Sequence, residues 1–247
     1  MGFYDSISAW YDAIFPVDPQ TVRFLAARAR PGARVLDLAC GTGGYSLALA
    51  GQGFRLTGVD LDEAMIREAQ RKAGGAVGVE LQVMDMLEIG RSLGPGFSLI
   101  FCIGNSIVHL PDEQRIGRVL EACRGLLEPE GALVVQIIHY DRILDQGITE
   151  LPTLRDEARG LQFTRRYEYE PSSRLVQFHT VLTVQEGGAK RRIENRVPLR
   201  ILRRRDLQRL AVQAGFGSLR WFGGFDERPL SPESLPLILE ARKAPER

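Results

Sequence analysis

Apolar residues come in short continuous runs over the first part of the chain and in strict alternation later. The segments "ARVLDLA", "FRLTGVDL", "VELQVMDM", "GFSLIFCIGNS" and "GALVVQIIHY" predict five strands, the third the weakest by pattern. A short continuous apolar run such as "ARVLDLA" suits a strand covered on both faces. Between them lie stretches with helical spacing: "GGYSLALAGQG", closed near Gly51 or Gly53, "DEAMIREAQRKA", capped by Asp62, and "PDEQRIGRVLEACRGLL", started by Pro111. An earlier helix is expected at "DPQTVRFLAARA", where Asp18 caps the end and Pro19 takes the first helical position. Strand and helix in alternation predict an α/β fold with a parallel sheet wound on both sides.

After Asp145 the period changes. "LQFTRRYEYE", "RLVQFHTVLTVQ" and "RRIENRVPLRI" alternate with period two, separated by "PSS" and "GGA", and predict an antiparallel meander. It forms an insert at about residues 150–200, after strand five. A helix at "RRRDLQRLAVQAGF", stopped by Gly215, and two closing strands at "LRWFGGF" and "LPLILEAR" bring the main sheet to seven strands. A single domain over residues 1–247 is expected.

Composition excludes several classes. The formal net charge is +1, so no global field draws nucleic acid or membrane. No run of about 18 apolar residues is present, and the first residues lack a basic, apolar leader pattern. Three widely spaced cysteines, Cys40, Cys102 and Cys123, read as reduced thiols, which places the chain in the cytoplasm. His109, His139 and His179 show no metal-ligand spacing, so no metal is expected.

The chemistry begins at "VLDLACGTGG", residues 35–44. A dinucleotide fingerprint would need a third glycine where Ser46 stands, and a phosphate-binding P-loop would need a lysine that is missing. Asp37 at the mouth of the turn opposes an anion. The pattern favours a cationic ligand without phosphate.

These residues resemble the first motif of class I S-adenosylmethionine-dependent methyltransferases. The resemblance implies a Rossmann-like doubly wound, mostly parallel seven-stranded sheet. It also implies S-adenosylmethionine as cofactor and S-adenosylhomocysteine as product. By the same resemblance Asp37 meets the cofactor's ammonium, with Ala39, Gly41 and Gly43 forming the close-approach turn. Asp60, in "GVDLDEAMI", takes the ribose hydroxyls, which a carboxylate's paired acceptors match. Asp85 and Met86, in "VMDM", take the adenine edge, Leu61 lies on its apolar face, and Ile103 borders the methionine portion. The three aspartates follow successive strands at the carboxyl edge, where open α/β sheets bind ligands.

"CIGNSIVHLPD" followed by "IIHYDRIL" is similar to the glycine and sarcosine N-methyltransferases. That similarity implies Asn105, His109 and Tyr140 on the acceptor side, with His109 as candidate general base and the other two as hydrogen-bonding partners. The glycine enzymes carry a carboxylate-binding arginine two residues before that tyrosine, and Ile138 stands there instead. Glycine is therefore not expected as acceptor, unless an arginine of the insert replaces the missing one. The "YDSISAWYDAIF" stretch places Tyr4, Trp10 and Tyr11 in an aromatic stripe. The resemblance implies that this segment folds over the cofactor and that Tyr11 closes the pocket.

The acceptor is expected to be a small molecule, with an amine favoured. An O- or C-methyltransferase of a metabolite or natural product is one alternative. A non-catalytic cofactor-binding regulatory subunit is another. Nucleic acid is not expected as partner, because the Asn/Asp-Pro-Pro-Tyr/Phe motif is absent after strand four. A homo-oligomer is left open, as is the role of the basic insert, whose charged edges read as a solvated surface that blocks aggregation.

Overall fold

The computed structural model describes residues 5–169, 173–186 and 189–243. A 3-10 turn (Asp5–Trp10) leads into α1 (Tyr11–Ile14) and α2 (Pro19–Ala26). Then follow β1 (Arg34–Leu38), α3 (Gly44–Ala50), β2 (Arg55–Asp60), α4 (Glu63–Ala73), β3 (Val79–Val83), α5 (Ile89–Ser92) and β4 (Phe97–Cys102). After a 3-10 turn at Ile107–His109 come α6 (Glu113–Leu126), β5 (Leu127–Ile138) and α7 (Tyr140–Asp145). Four strands, β6 (Glu150–Asp156), β7 (Leu161–Tyr169), β8 (Leu175–Glu186) and β9 (Ala189–Arg200), precede α8 (Arg204–Gln213), β10 (Phe216–Phe222) and β11 (Pro236–Lys243).

Seven strands form one sheet in the order β10-β11-β5-β4-β1-β2-β3. Strands β1 to β5 pair in parallel, and β11 runs antiparallel to both β5 and β10. This is the doubly wound, Rossmann-like sheet expected of the chain. Its centre is mostly apolar: every residue of β4 is buried, and Leu36, Leu38 and Ile100 pack on one face while Val35, Leu99 and Phe101 pack on the other. The helices start where their caps dictate. Asp18 accepts from Gln20 N at 3.0 Å and Thr21 N at 3.1 Å, and Asp62 accepts from Ala64 N and Met65 N. Such caps contribute about 1 kcal/mol each. Asp112 rather than Pro111 caps α6, accepting from Arg115 N at 2.8 Å.

The second sheet has the order β6-β7-β8-β9 and is antiparallel throughout. It holds one strand more than the alternation predicts. Strand β6 carries Pro152 and has weak period-two patterning, both tolerable only because it lies at the edge. The N-terminal segment packs on the inner face of this sheet: Ile7 and Ile14 share a buried cluster with Leu161, Phe163, Leu182 and Val184. Trp10 and Tyr11 join that cluster's rim, whereas Tyr4 lies outside the described residues.

Candidate active site

Strand β1 lies between β2 and β4, so the chain order reverses beside it and the loops after β1 and β4 flank the switch point. Both loops are left-handed at critical residues. After β1, Ala39, Gly41 and Gly43 have φ of 59°, 55° and 74°; after β4, Gly104 and Asn105 have 77° and 66°. A Cβ on Gly43 would sit 3.0 Å from Ala69 Cβ, and one on Gly41 would sit 3.3 Å from the Tyr11 ring. Ala39 and Asn105 hold a conformation that costs a non-glycine residue about 1 kcal/mol or more, a strain found mostly at functional sites.

Two cavities open along this edge. The first, about 580 Å³, is lined by Gly41, Asp60, Leu61, Asp85 and Met86 among others. The second, about 430 Å³, includes Asp37, Ile103, Asn105, Gln136 and Ile138 and extends to the inner face of the second sheet. They meet at three residues lining both: Tyr11, Ala39 and His109.

The acidic residues are held in place by backbone donors. Asp60 Oδ2 accepts from Gly41 N at 2.8 Å and its Oδ1 from Asp62 N at 2.9 Å, so it ties the glycine turn to the start of α4. Burial raises the Asp60 carboxyl above the usual range despite these bonds. Asp85 Oδ1 accepts from Leu87 N at 2.9 Å, which shapes the turn carrying Met86. Asp37 is buried and accepts from Ser46 Oγ at 2.7 Å, and burial pushes its carboxyl up to about 7. Leu61, 70% exposed, offers an apolar wall.

Tyr11 is placed over the turn by its neighbours. Its ring lies 5.1 Å from that of Phe15, which in turn stands edge-on to Phe163 at 5.7 Å. Asp12 accepts from Thr42 Oγ1 at 2.5 Å and pairs with Lys72 at 2.6 Å, latching the segment to the glycine turn and to α4. Burial, followed by the charges of Asp60 and Asp37, raises the Tyr11 hydroxyl well above its ordinary value and keeps it protonated.

On the acceptor side the structure corrects one expectation and narrows another. Tyr140 does not reach the cavity wall: it is fully buried at the start of α7, 6.5 Å from the Tyr167 ring. Its hydroxyl accepts from Asn105 Nδ2 at 3.3 Å, while Asn105 Oδ1 accepts from Ile138 N at 3.0 Å. The Asn105 amide thus braces the β4 loop against β5, although the residue borders the cavity. His109 sits at the junction of the two cavities, and burial pushes its imidazole down to about 4. It is neutral at physiological pH. His139 is buried with Nδ1 3.1 Å from Ser234 O, and His179 faces Glu194 at 3.5 Å; neither lines a cavity of the site.

Two wall residues escape the sequence reading: Arg165 and Tyr167, on β7. Alternation along "LQFTRRYEY" puts Leu161, Phe163, Arg165, Tyr167 and Tyr169 on one face, the one turned to the interior. The signal is a charge in the middle of an otherwise apolar set.

The donor set fits S-adenosylmethionine. Asp37, Asp60 and Asp85 surround the cavities with carboxylates, which repel a polyphosphate and suit a cationic ligand with a diol and an amino edge. A Cβ on Gly41 would crowd the Tyr11 ring that covers the turn. Among the described residues no cluster of three or more His, Cys, Asp or Glu is arranged to hold a metal, and no helix is long and apolar enough to cross a membrane.

Known proteins agree with this reading. Residues 35–131 match the family model described as "Methyltransferase domain". YqeM of Bacillus subtilis is 25% identical over 244 residues, 98% of this chain and 97% of its own length. Glycine N-methyltransferase of Rattus norvegicus is 34% identical over 128 residues, 46% of this chain and 43% of the rat enzyme, so the chain spans less than half of that relative. Ubiquinone biosynthesis O-methyltransferase of Xanthomonas campestris is 31% identical over 138 residues, 53% of this chain and 56% of that enzyme. Among solved structures, an S-adenosylmethionine-dependent methyltransferase from Clostridium acetobutylicum superposes with a TM-score of 0.82 at 19% identity, covering 98% of this chain and all of the other, which shows the shared fold. The matched family model covers β1 to β4 with the loops after them, so the chain carries a methyltransferase domain, and its fold is that of the class I S-adenosylmethionine-dependent methyltransferases.

Proposed function

We propose that this enzyme methylates the nitrogen of a small-molecule amine. The observation that carries this reading is the His109 imidazole at the junction of the cavities, held neutral by burial with a pKa of about 4. A hydroxyl acceptor needs a base whose pKa lies near the working pH, and His109 lies far below it. A neutral amine needs no base during transfer, only orientation, and a neutral imidazole nitrogen accepts an N–H hydrogen bond well. S-adenosylmethionine, when bound, supplies an electrophilic methyl group on a sulfonium.

In this reading Asp37 holds the cofactor's ammonium, Asp60 its ribose hydroxyls and Asp85 and Met86 the adenine edge, with Leu61 against the ring. Ala39, Gly41, Gly43 and Ile103 form the close wall, and Tyr11 covers it. Asn105 acts by fixing the β4 loop. The protein thereby contributes orientation and exclusion of water. The name of the rat relative supports a nitrogen acceptor and that of the Xanthomonas relative an oxygen acceptor; the neutral His109 supports the nitrogen reading.

The test is mass spectrometry of a metabolite extract incubated with the enzyme and cofactor carrying an isotopically labelled methyl group. The expected product is an amine bearing the label. Label found on a hydroxyl or a carbon instead would overturn the reading.

A further inference from the structure

The inner face of the second sheet contains a polar gap in an apolar wall. Across the β7–β8 ladder Phe163 faces Leu182, Arg165 faces Thr180, Tyr167 faces Phe178 and Tyr169 faces Val176. Three polar atoms in this patch are buried without a partner among the described residues: Arg165 Nε, Tyr167 Oη and Thr180 Oγ1. Tyr167 is 2% exposed and Thr180 1%. All three can donate a hydrogen bond, and one belongs to a permanent cation.

Most arginines of this sheet are neutralised. Arg166, on the opposite face of the same strand, pairs with Glu150 at 3.0 Å, Arg159 with Asp156 at 2.5 Å, and Arg192 with Glu194 at 2.7 Å. Arg165 has no carboxylate within 4.0 Å among the described residues; its Nη2 donates to Pro152 O at 2.7 Å, which anchors the guanidinium and leaves Nε unsatisfied. Burial pulls its basicity down, and the Tyr167 phenol offsets this only in part. Two other guanidinium nitrogens lack partners, Arg142 Nε and Arg200 Nε, but neither residue lines the acceptor cavity, as Arg165 and Tyr167 do. A half-buried cation with an unpaired N–H beside an unpaired phenol is costly to keep unless an acceptor completes it, and an anionic acceptor does so best.

We propose that Arg165 and Tyr167 form an anion-binding subsite that holds a carboxylate of the acceptor. Resting on the amine reading above, this makes the substrate an amino carboxylate. Arginine is well shaped for a carboxylate, since its planar fork matches two oxygens. The wall next to the two residues indicates what the remaining body must be: Leu151, Leu154, Phe163, Phe178, Leu199 and Ile138 are apolar. With Ile138 on the β5 side offering no charge, the anion is held from the second sheet, and the substrate is bulkier and more apolar than glycine.

The test uses the full-length enzyme with S-adenosylhomocysteine bound and a probe series of carboxylates from acetate to 3-phenylpropionate, each with its uncharged carboxamide. Calorimetry should show the larger acids binding about ten- to a hundredfold more tightly than their amides. Arg165→Met should erase that difference, Arg165→Lys should keep part of it, and Tyr167→Phe should reduce it. Equal binding of acid and amide to the wild-type protein, or no binding across the series, would overturn the proposal without needing any variant to fold. A parallel assay with labelled cofactor separates the two readings. Amines methylated with no preference for those bearing a carboxylate would refute the subsite and leave the amine reading intact. Acids bound through Arg165 while the label goes to hydroxyls would refute the amine reading alone.

Discussion

Ser46 Oγ donates a 2.7 Å hydrogen bond to Asp37 Oδ2 where neither side chain meets solvent appreciably. The bond pulls the carboxyl down, burial pushes it up by more, and the result is a group titrating at about 7. Cofactor binding needs the carboxylate form to meet an ammonium. Affinity for S-adenosylmethionine should therefore be level above about pH 8 and weaken by about tenfold per unit below 7. Calorimetry across that range checks it, and an affinity that ignores pH would remove Asp37 from the ammonium site.

The same group sets a stability trend of opposite sign in the cofactor-free protein. Its folded pKa lies above the unfolded value of about 4, so between that value and about 7 the native state binds more protons than the unfolded one. Stability from this group falls as pH rises through that window. Asp37→Asn should raise the melting temperature of the free protein at pH 8, have little effect near pH 4, and weaken cofactor binding at pH 8. A variant that melts lower at pH 8 would show that the carboxylate is stabilising.

Asp60 has two duties that one substitution can separate. Asp60→Ala removes a charge-assisted contact of about 1.5–3 kcal/mol, and cofactor affinity should drop about ten- to a hundredfold. It also frees Gly41 N, so hydrogen exchange at that amide should speed up even without cofactor. Unchanged exchange would mean that the glycine turn holds itself.

Because His109 titrates at about 4, it should leave no mark on the pH–rate profile above about pH 5. His109→Ala is expected to lower kcat/KM by about tenfold through lost orientation while cofactor affinity stays the same. A fall of about a thousandfold or more would assign it the base role and reopen hydroxyl acceptors.

Asp12→Ala should loosen the covering segment, since it breaks the contacts to both Thr42 and Lys72. Cofactor dissociation should accelerate several-fold in stopped-flow measurements. No change would mean that the apolar packing of Ile7, Ile14 and Phe15 alone holds the segment down.

What could be read from the sequence followed the strength of local patterns. Strands β1, β2, β4 and β5 are legible because burial on both faces makes apolar runs, β3 less so because it is an edge strand with only Leu81 buried, and Asp37, Asp60 and Asp85 stand out as charges at the carboxyl ends of β1, β2 and β3. Strand β6 was not, since an edge strand tolerates Pro152 and poor alternation. Similarity to the glycine enzymes puts Tyr140 on the acceptor side, yet α7 starts at that residue and turns the ring into the core. Arg165 was hidden for a different reason. In "RR" one arginine faces solvent and the other the cavity, and which is which depends on register, a property of the paired strands rather than of the dipeptide.

The packing of Ile7 and Ile14 against Leu161, Phe163, Leu182 and Val184 has a consequence for synthesis. A nascent chain emerging from the ribosome presents β1 to β5 and the glycine turn well before the strands on which its own first residues will settle. During that interval Tyr11 has no platform, and the cofactor-binding half stands without its cover. The covering segment cannot settle before β8 is made, and the main sheet itself is completed later still, when β11 pairs with β5.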